Sequence, residues 1–344
     1  MEEHMTKPTI QDVADYVGVS KSTVSQYLNH HYNFMSPATR KKIAAAIKTL
    51  DYQPNQVAKS LKQKRTKIIA IVCASLSSRF SIQLISAVEG YCQKQGYTVV
   101  IARTHDDPAT EKQLITSFIN RQIDGIIVFP TKQNTAYYQE LAQRDFPIVF
   151  VDRYLPDVSI DSVLLDNPLA AQLAVEELIN RGHQRIGIVT LPLGDQITTR
   201  QERLQGYLDT LAAHELPVIK TNIISCERSE VAARLTRLFA VKKPPTALFL
   251  TNDMLLEDTL NWVRTTSLHV GEELSLVCLD DVSFARFYEP PITTVAQPVT
   301  EIGLTAATLL LAKIQAPASA APAIIRKQPQ LHVRESVRDL NATT

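Results

Sequence analysis

The chain has 344 residues, 45% hydrophobic and 21% charged, with a formal net charge of +1, a length that holds two or three domains of about 150 residues each. No run approaches the roughly 20 consecutive apolar residues of a membrane span, and no apolar signal segment opens the chain, so a cytoplasmic protein without membrane contact is expected. Four cysteines, Cys73, Cys92, Cys226 and Cys278, stand far apart without Cys-x-x-Cys spacing. That excludes a disulfide framework or a zinc site as the organising principle, and no metal is expected.

The small net charge conceals an asymmetry. Residues 1–66 carry ten Lys/Arg against five Asp/Glu, a surplus of +5, whereas the remainder carries −4. A basic head on a mildly acidic body points to a polyanion as partner of the head alone.

Within that head, Thr9 to Leu28 reads as two short helices around a tight turn. Thr9 is a good N-cap, and Ile10, Val13, Ala14 and Val17 share one face at helical spacing. Gly18 ends the first helix and Ser20 caps the second. On the second helix Val24, Tyr27 and Leu28 face inward, while Lys21, Ser22, Ser25 and Gln26 face out. That outward set is short, hydrogen-bonding and carries one cation, which suits a helix laid into a DNA major groove. Ser36-Pro37, a cap followed by a first-position proline, opens a third helix to Leu50. Residues 54–66 then place Asn, Gln, Lys and Ser around Val57, Ala58 and Leu61, too short to hold a helix alone.

The order DVADYVGVSKSTVSQYLN, then SPATRKKI, then LDYQPNQVAKSL, resembles the DNA-binding headpiece of the LacI/GalR family of bacterial transcription regulators. The resemblance implies that Lys21, Ser22 and Gln26 read base edges, and that Thr9, Ser20, Thr23, Ser25 and Asn29 also contact DNA, chiefly phosphates. It further implies that 54–66 is a hinge helix pairing with a dimer mate in the minor groove, with Asn55 and Ala58 at the DNA and Leu61 as an apolar wedge. Two headpieces reading two half-sites imply a homodimer on a pseudo-palindromic double-stranded operator. The His30–Met35 loop is one residue longer than the common family pattern.

From Lys67 onward, short apolar strands alternate with helices. The strands are expected at Ile68–Ala74, Thr98–Arg103, Gly125–Phe129, Ile148–Val151, Val163–Leu165, Arg185–Thr190, Ile223–Cys226, Ala247–Thr251, Leu274–Leu279 and Thr293–Ala296. Ten such strands split into two parallel sheets covered on both faces, an α/β architecture that binds ligands at strand ends between lobes. A last helix at about 298–314 and a Pro/Ala loop (316–323) lead to a terminal strand near Leu331–Val333. Landmarks such as RGHQRIGIV (181–189), Arg203-x-x-Gly206-Tyr207, LTND (250–253), LDD (279–281) and VRES (333–336) make this body similar to the type I periplasmic-binding-protein fold of the same family. The expected division is a headpiece at 1–53, a hinge at 54–66 and an effector-binding and dimerisation core at 67–340. Its N-subdomain takes 67–165 and 297–327, its C-subdomain 166–296 and 328–340.

The same resemblance puts effector-binding positions at Ser75, Arg79, Phe80, Arg153, Arg203, Asn252, Asp280 and Gln297. Many sugar-responsive members carry Asp where this chain has Ser75, and Pro where it has Arg79. Loss of an acceptor and gain of a cation near Arg153 and Arg203 favour an anionic ligand. The KSTVSQYLN helix also resembles the subgroup that answers to ketodeoxygluconate and related sugar acids. A repressor of a carbohydrate-catabolic operon, released by a sugar acid, is therefore expected. A corepressor-dependent regulator answering to a neutral sugar or a partner protein is the alternative, and a transport-type sugar-binding protein the more distant one. No cofactor and no catalytic residue are expected. Gly182 to Gly187 mimics a phosphate loop but continues as Ile188-Val189, where Lys and Ser/Thr are required. Asp280 and Asp281, as strand neighbours, would point to opposite faces.

Overall fold

The computed structural model describes residues 8–33, 35–53, 65–194, 196–316 and 321–342. The expected hinge positions Asn55, Ala58 and Leu61 lie outside them. The chain divides into two compact units, Met1–Thr66 and Lys67–Thr344.

The first unit is built from α1 (Ile10–Val17), α2 (Lys21–Leu28) and α3 (Pro37–Thr49). Thr9 and Asp12 close a reciprocal cap: the Thr9 hydroxyl accepts from the Asp12 N–H, and the Asp12 carboxylate accepts from the Thr9 N–H at 2.6 Å. Such a cap satisfies donors that the first helical turn leaves open, and contributes about 1 kcal/mol. Gly18 follows at φ 73, a left-handed turn that a Cβ would strain. Ser20 and Ser36 cap the next two helices through the N–H groups of Thr23 and Thr39. All three helices contribute to one small core of Val13, Ala14, Val24, Ile43, Ala46 and Tyr52. Burying Val24 fixes the rotation of α2 and leaves Lys21, Ser22 and Gln26 exposed.

The second unit holds two six-stranded sheets. The first comprises β1 (Ile68–Cys73), β2 (Thr98–Arg103), β3 (Gly125–Val128), β4 (Ile148–Val151), β5 (Ser162–Leu165) and β11 (Ile324–Lys327), in the order β11-β5-β4-β3-β1-β2. The second comprises β6 (Ile186–Thr190), β7 (Ile223–Ser225), β8 (Ala247–Leu250), β9 (Ser275–Leu279), β10 (Thr293–Ala296) and β12 (Gln330–His332), in the order β12-β10-β9-β8-β6-β7. Every pairing is parallel except β10 with β12. The first sheet is covered by α4 (Arg79–Lys94), α5 (Pro108–Asn120), α6 (Thr135–Gln143) and α11 (Val299–Gln315). The second is covered by α7 (Asn167–Asn180), α8 (Thr198–Ala213), α9 (Val231–Phe239) and α10 (Asp253–Val263).

Strand alternation divides the apolar side chains between two layers. Ile69, Ile71 and Cys73 of β1 pack with Leu84, Val88 and the α11 side chains, while Ala70 and Val72 face Ile115, Tyr138 and Phe150. The expected two-lobed α/β body is what folds. One strand was not anticipated: β11, which extends the first sheet parallel to β5 with Ile325 opposite Val163. Its two β-branched residues carry strand propensity, but the Pro/Ala run before it and the Arg-Lys pair within it read as loop. The chain passes between lobes after β5, β10 and β11.

Gly206 sets the spacing of α7 and α8. A Cβ there would meet the Pro168 carbonyl oxygen at 2.7 Å and the Ala171 Cβ at 2.9 Å, whereas one at Gly90, inside α4, meets nothing within 4 Å. Gly206→Ala should therefore cost about 1–3 kcal/mol through overpacking. Gly90→Ala should add about 0.5–1 kcal/mol through helix propensity. Urea denaturation followed by circular dichroism tests both, and equal effects would contradict the packing difference.

Candidate functional site

The outward face of α2 is organised by its own N-terminus. The Ser20 hydroxyl lies 2.7 Å from that of Ser22 and 2.8 Å from that of Thr23, while accepting the Thr23 N–H at 3.1 Å. Three hydroxyls at the positive end of a helix make an anion-facing cluster. At the other end the Asn29 amide donates to the Ser25 carbonyl at 2.9 Å. Lys21 and Gln26 stand between, exposed, with no side-chain hydrogen bond to another described residue. Thr9, by contrast, is engaged with Asp12. The loop after α2 is braced by Arg40, whose guanidinium sits 3.8 Å from the Tyr32 ring centroid, and by His30, whose Nδ1 is 2.8 Å from the Tyr32 hydroxyl. That brace had no sequence signal, because Tyr32 and Arg40 belong to different segments.

The second site is the cleft between the lobes. Among the described residues, five non-glycine positions that follow strands facing it have left-handed backbones: His105 and Asp106 after β2, Asp152 after β4, Gln196 after β6 and Asp280 after β9. Such conformations concentrate at ligand clamps, where surrounding structure must hold them. Arg79, Phe80, Asp280 and Gln297 line one small cavity of about 50 Å³ with Gln83 and Val282. The Arg79 backbone N–H donates across the cleft to Asp253 Oδ2 at 3.1 Å, and its side chain is exposed. Phe80 packs edge-on against Phe129 in the first lobe's core. The Gln297 amide donates to Asp280 Oδ1 at 2.6 Å.

Arg153 and Arg203 are both buried. Arg153 donates twice to Asp106, at 2.6 and 3.4 Å, and lies 3.4 Å from Asp152. Burial opposes its charge, but Asp106 and Asp152 more than restore it and raise its pKa. Arg203 donates from Nε to the Asn167 side chain and from Nη1 to the Thr251 carbonyl, each at 2.8 Å. Burial lowers its pKa more than Asp152 and Asp280 raise it. Burial likewise raises Asp152, against the pull of both guanidiniums.

Two positions fall outside this constellation. The Asn252 side chain accepts the Leu255 N–H at 2.9 Å and caps α10, so the cleft carboxylate belongs to its neighbour Asp253. The Ser75 hydroxyl accepts the Ser77 N–H at 3.0 Å in the turn before α4. Asp106, Asp152, Asn167 and Asp253 are the cleft residues that spacing did not single out; the last adjoins Asn252 in the LTND run, which was its only signal. Asp280 and Asp281 both lie beyond the end of β9 rather than on it, and both line the small cavity, though their carboxylates take different partners. Asp281 instead joins Arg286, Arg334 and Thr294; burial alone would raise it, but their hydrogen bonds hold it well below the usual carboxylate range. His183 shapes the turn before β6, its ring bonded to the Thr246 hydroxyl and near the Arg338 carbonyl.

A small helix-turn-helix unit with an open polar reading face, joined in one chain to a two-lobed cleft of this type, defines a DNA-binding transcription regulator with an effector-binding core. The chain belongs to the LacI family of bacterial regulatory proteins. Residues 9–55 match that family's DNA-binding region and 175–337 a periplasmic binding protein-like domain. It is 46% identical to the probable HTH-type transcriptional regulator EndR of Paenibacillus polymyxa, over 97% of this chain and 99% of that one. It is 28% identical to the HTH-type transcriptional regulator KdgR of Bacillus subtilis strain 168, over 96% of this chain and 97% of that one. The Lac repressor dimer bound to operator and the anti-inducer ONPF superposes with a TM-score of 0.83 at 26% identity, covering 97% of this chain and all of that one. The protein is a regulator and not an enzyme. No described helix is long and apolar enough to cross a membrane.

Burial first, and then the Asp253 carboxylate, push the Asp280 carboxyl from 3.8 up to about 6, against Arg203 and the Gln297 amide. A carboxyl raised on folding binds protons more tightly in the native state, so its contribution to stability falls as pH rises through that interval and is flat above it. The melting temperature of the wild type, relative to Asp280→Asn, should decline between about pH 4 and 6. A difference independent of pH would contradict the raised carboxyl.

Proposed function

We propose that the chain is a cytoplasmic repressor of a carbohydrate-catabolic operon, acting as a homodimer on a pseudo-palindromic site and released by a sugar acid bound between its lobes. In this reading residues 1–53 read DNA, 54–66 form the hinge with Leu61 as the minor-groove wedge, and 67–340 hold the effector and the dimer contacts. Lys21 and Gln26 supply base-edge contacts, and the Ser20, Ser22 and Thr23 cluster lies against the phosphate backbone or a base edge.

The observation that carries the effector reading is the polar interior of the cleft. Asp253 Oδ1 and Gln297 Oε1 are buried without a hydrogen-bond partner, beside Asp280 and Arg203. Buried acceptors of that kind match the hydroxyl donors of a sugar, and the cations Arg79, Arg153 and Arg203 match a carboxylate. The cavity lined by Arg79, Asp280 and Gln297 is about 50 Å³, far below the roughly 300 Å³ of a small-molecule site, and in this reading the lobes part and re-close around the effector. That motion supplies the two-state element through which an effector shifts operator affinity, a coupling of typically about 1–3 kcal/mol.

One observation favours a neutral sugar instead: Arg153 already holds Asp106 and lies beside Asp152, so its charge is balanced within the protein. A thermal-shift panel of neutral sugars, uronates and ketodeoxy sugar acids separates the readings. A ligand at about 100 times its dissociation constant adds roughly 2.7 kcal/mol to the folded core. Shifts from acids alone are expected; shifts from neutral sugars alone would sink the sugar-acid assignment and leave the regulator intact. Repeating the titration on operator DNA gives the sign, since release marks an inducer and tightening a corepressor.

On the DNA side, Gln26→Ala should lose about 1–3 kcal/mol of discrimination at one base pair and relax selection there. Lys21→Ala should do the same at a second position. Selection from a randomised half-site library reads both. A uniform loss across all sequences would make them phosphate contacts.

A further inference from the structure

Asp106 belongs to none of the sequence motifs that mark this family, yet both lobes meet on it. It follows β2 in the second of two consecutive left-handed residues, His105 and Asp106, each at φ 59. The turn is pinned from below: the Asp106 N–H donates to the Thr104 hydroxyl at 3.3 Å, and that buried hydroxyl donates to the Cys73 carbonyl at 3.4 Å. The carboxylate so placed accepts both terminal nitrogens of Arg153, at 2.6 and 3.4 Å. Its Oδ2 also lies 3.7 Å from Nη2 of Arg200, on α8 of the opposite lobe, whose Nη1 donates to the Pro192 carbonyl at 2.7 Å. The side chains of Arg153 and Arg200 are only 8% and 13% exposed. Arg153 is thus already holding a carboxylate with both ends of its fork, the arrangement that an acidic ligand would require.

We propose that Asp106 is a built-in competitor for the effector's carboxylate and the residue that sets the acid specificity of the cleft. A sugar acid binds by taking the place of Asp106 on Arg153. The displaced Asp106 stays with Arg200, so the exchange is transmitted to the second lobe. The inference rests on the sugar-acid reading of this cleft.

Charge balance gives the direction of the test. In the wild type an added carboxylate meets the negative charge of Asp106, which already occupies both terminal nitrogens of Arg153. With Asp106→Asn that charge is gone and the carboxylate meets no anionic competitor. Four full-length proteins, the wild type, Asp106→Asn, Arg200→Gln and the double variant, would be titrated calorimetrically with D-glucuronate, 2-keto-3-deoxygluconate and D-glucose. Circular dichroism melts would confirm that each is folded, and Asp106→Glu serves as the conservative control. The expected result is that at least one acid binds Asp106→Asn about tenfold more tightly than the wild type, while Asp106→Glu stays near the wild type. Arg200→Gln should weaken acid binding about threefold, and this effect should vanish in the double variant, because the two residues act as one unit. If an acid binds the wild type and Asp106→Asn binds it no more tightly, the competitor role is overturned and the sugar-acid reading stands. If neither acid binds any of the four proteins, both fall together.

Discussion

In a parallel sheet covered by helices on both faces, the carboxyl ends of the strands are the one place where polar side chains can converge without disrupting a core. Both sheets of this regulator obey that constraint, and the ends of both open on one cleft. Arg79 follows β1, Asp106 follows β2, Asp152 and Arg153 follow β4, Asp253 follows β8, Asp280 follows β9 and Gln297 follows β10. Apart from the neighbours Asp152 and Arg153, these residues are distant from their partners in sequence. Asp253 and the Arg79 backbone are 174 residues apart, yet hydrogen-bonded. The chemistry of the cleft is therefore a consequence of sheet topology, and the apolar layers behind it serve to keep the strand ends in register.

Placing two arginines inside that cleft creates an electrostatic demand. A buried charge is tolerated only when paired and hydrogen-bonded, and removing one partner leaves an uncompensated charge. Arg153 answers the demand with Asp106 and Asp152. Arg203 answers it with Asn167 and the Thr251 carbonyl, backed by the fields of Asp152 and Asp280. The hydrogen-bond partners of each arginine come from its own lobe; what crosses the cleft is the field of Asp152 on Arg203 and the approach of Arg200 to Asp106. The raised Asp280 carboxyl is the visible residue of this compromise: burial and then the Asp253 carboxylate raise it by more than Arg203 and the Gln297 amide lower it.

The lobed architecture and the headpiece were legible because they rest on local rules. Thr9, Gly18, Ser20, Ser36 and Pro37 are cap and turn residues whose positions follow from backbone donors and left-handed geometry. Apolar runs such as Ile68–Cys73 and Ile148–Val151 could hardly be other than buried parallel strands. The cleft was only half legible. Arg153 was accessible through its place after a strand, but Asp152, turned by its φ of 66, was not. Asn252 has the chemistry of a sugar ligand and spends its side chain capping a helix, while the neighbouring Asp253 reaches the cleft. β11 was hidden for another reason: an edge strand buries little, and Ile324 remains half exposed, so its apolar signal is two residues long.

Among the described residues, the interactions across the cleft are polar. The bonds across it include Arg79 to Asp253, the Tyr154 N–H to the Thr198 hydroxyl, Asp106 to Arg200, Lys132 to Gln196, and Arg326 to Glu202. Each is a polar contact near water, of the kind that contributes about 0.5–1.5 kcal/mol net, or somewhat more when charged. A regulatory coupling of about 1–3 kcal/mol is therefore no larger than one or two of these bonds. On the proposed reading an effector need not deform either lobe to be felt, because replacing the partner of a single arginine would change an interaction of that size. The apolar cores would resist any deformation by far larger amounts, so in the proposed mechanism the lobes would move as rigid bodies.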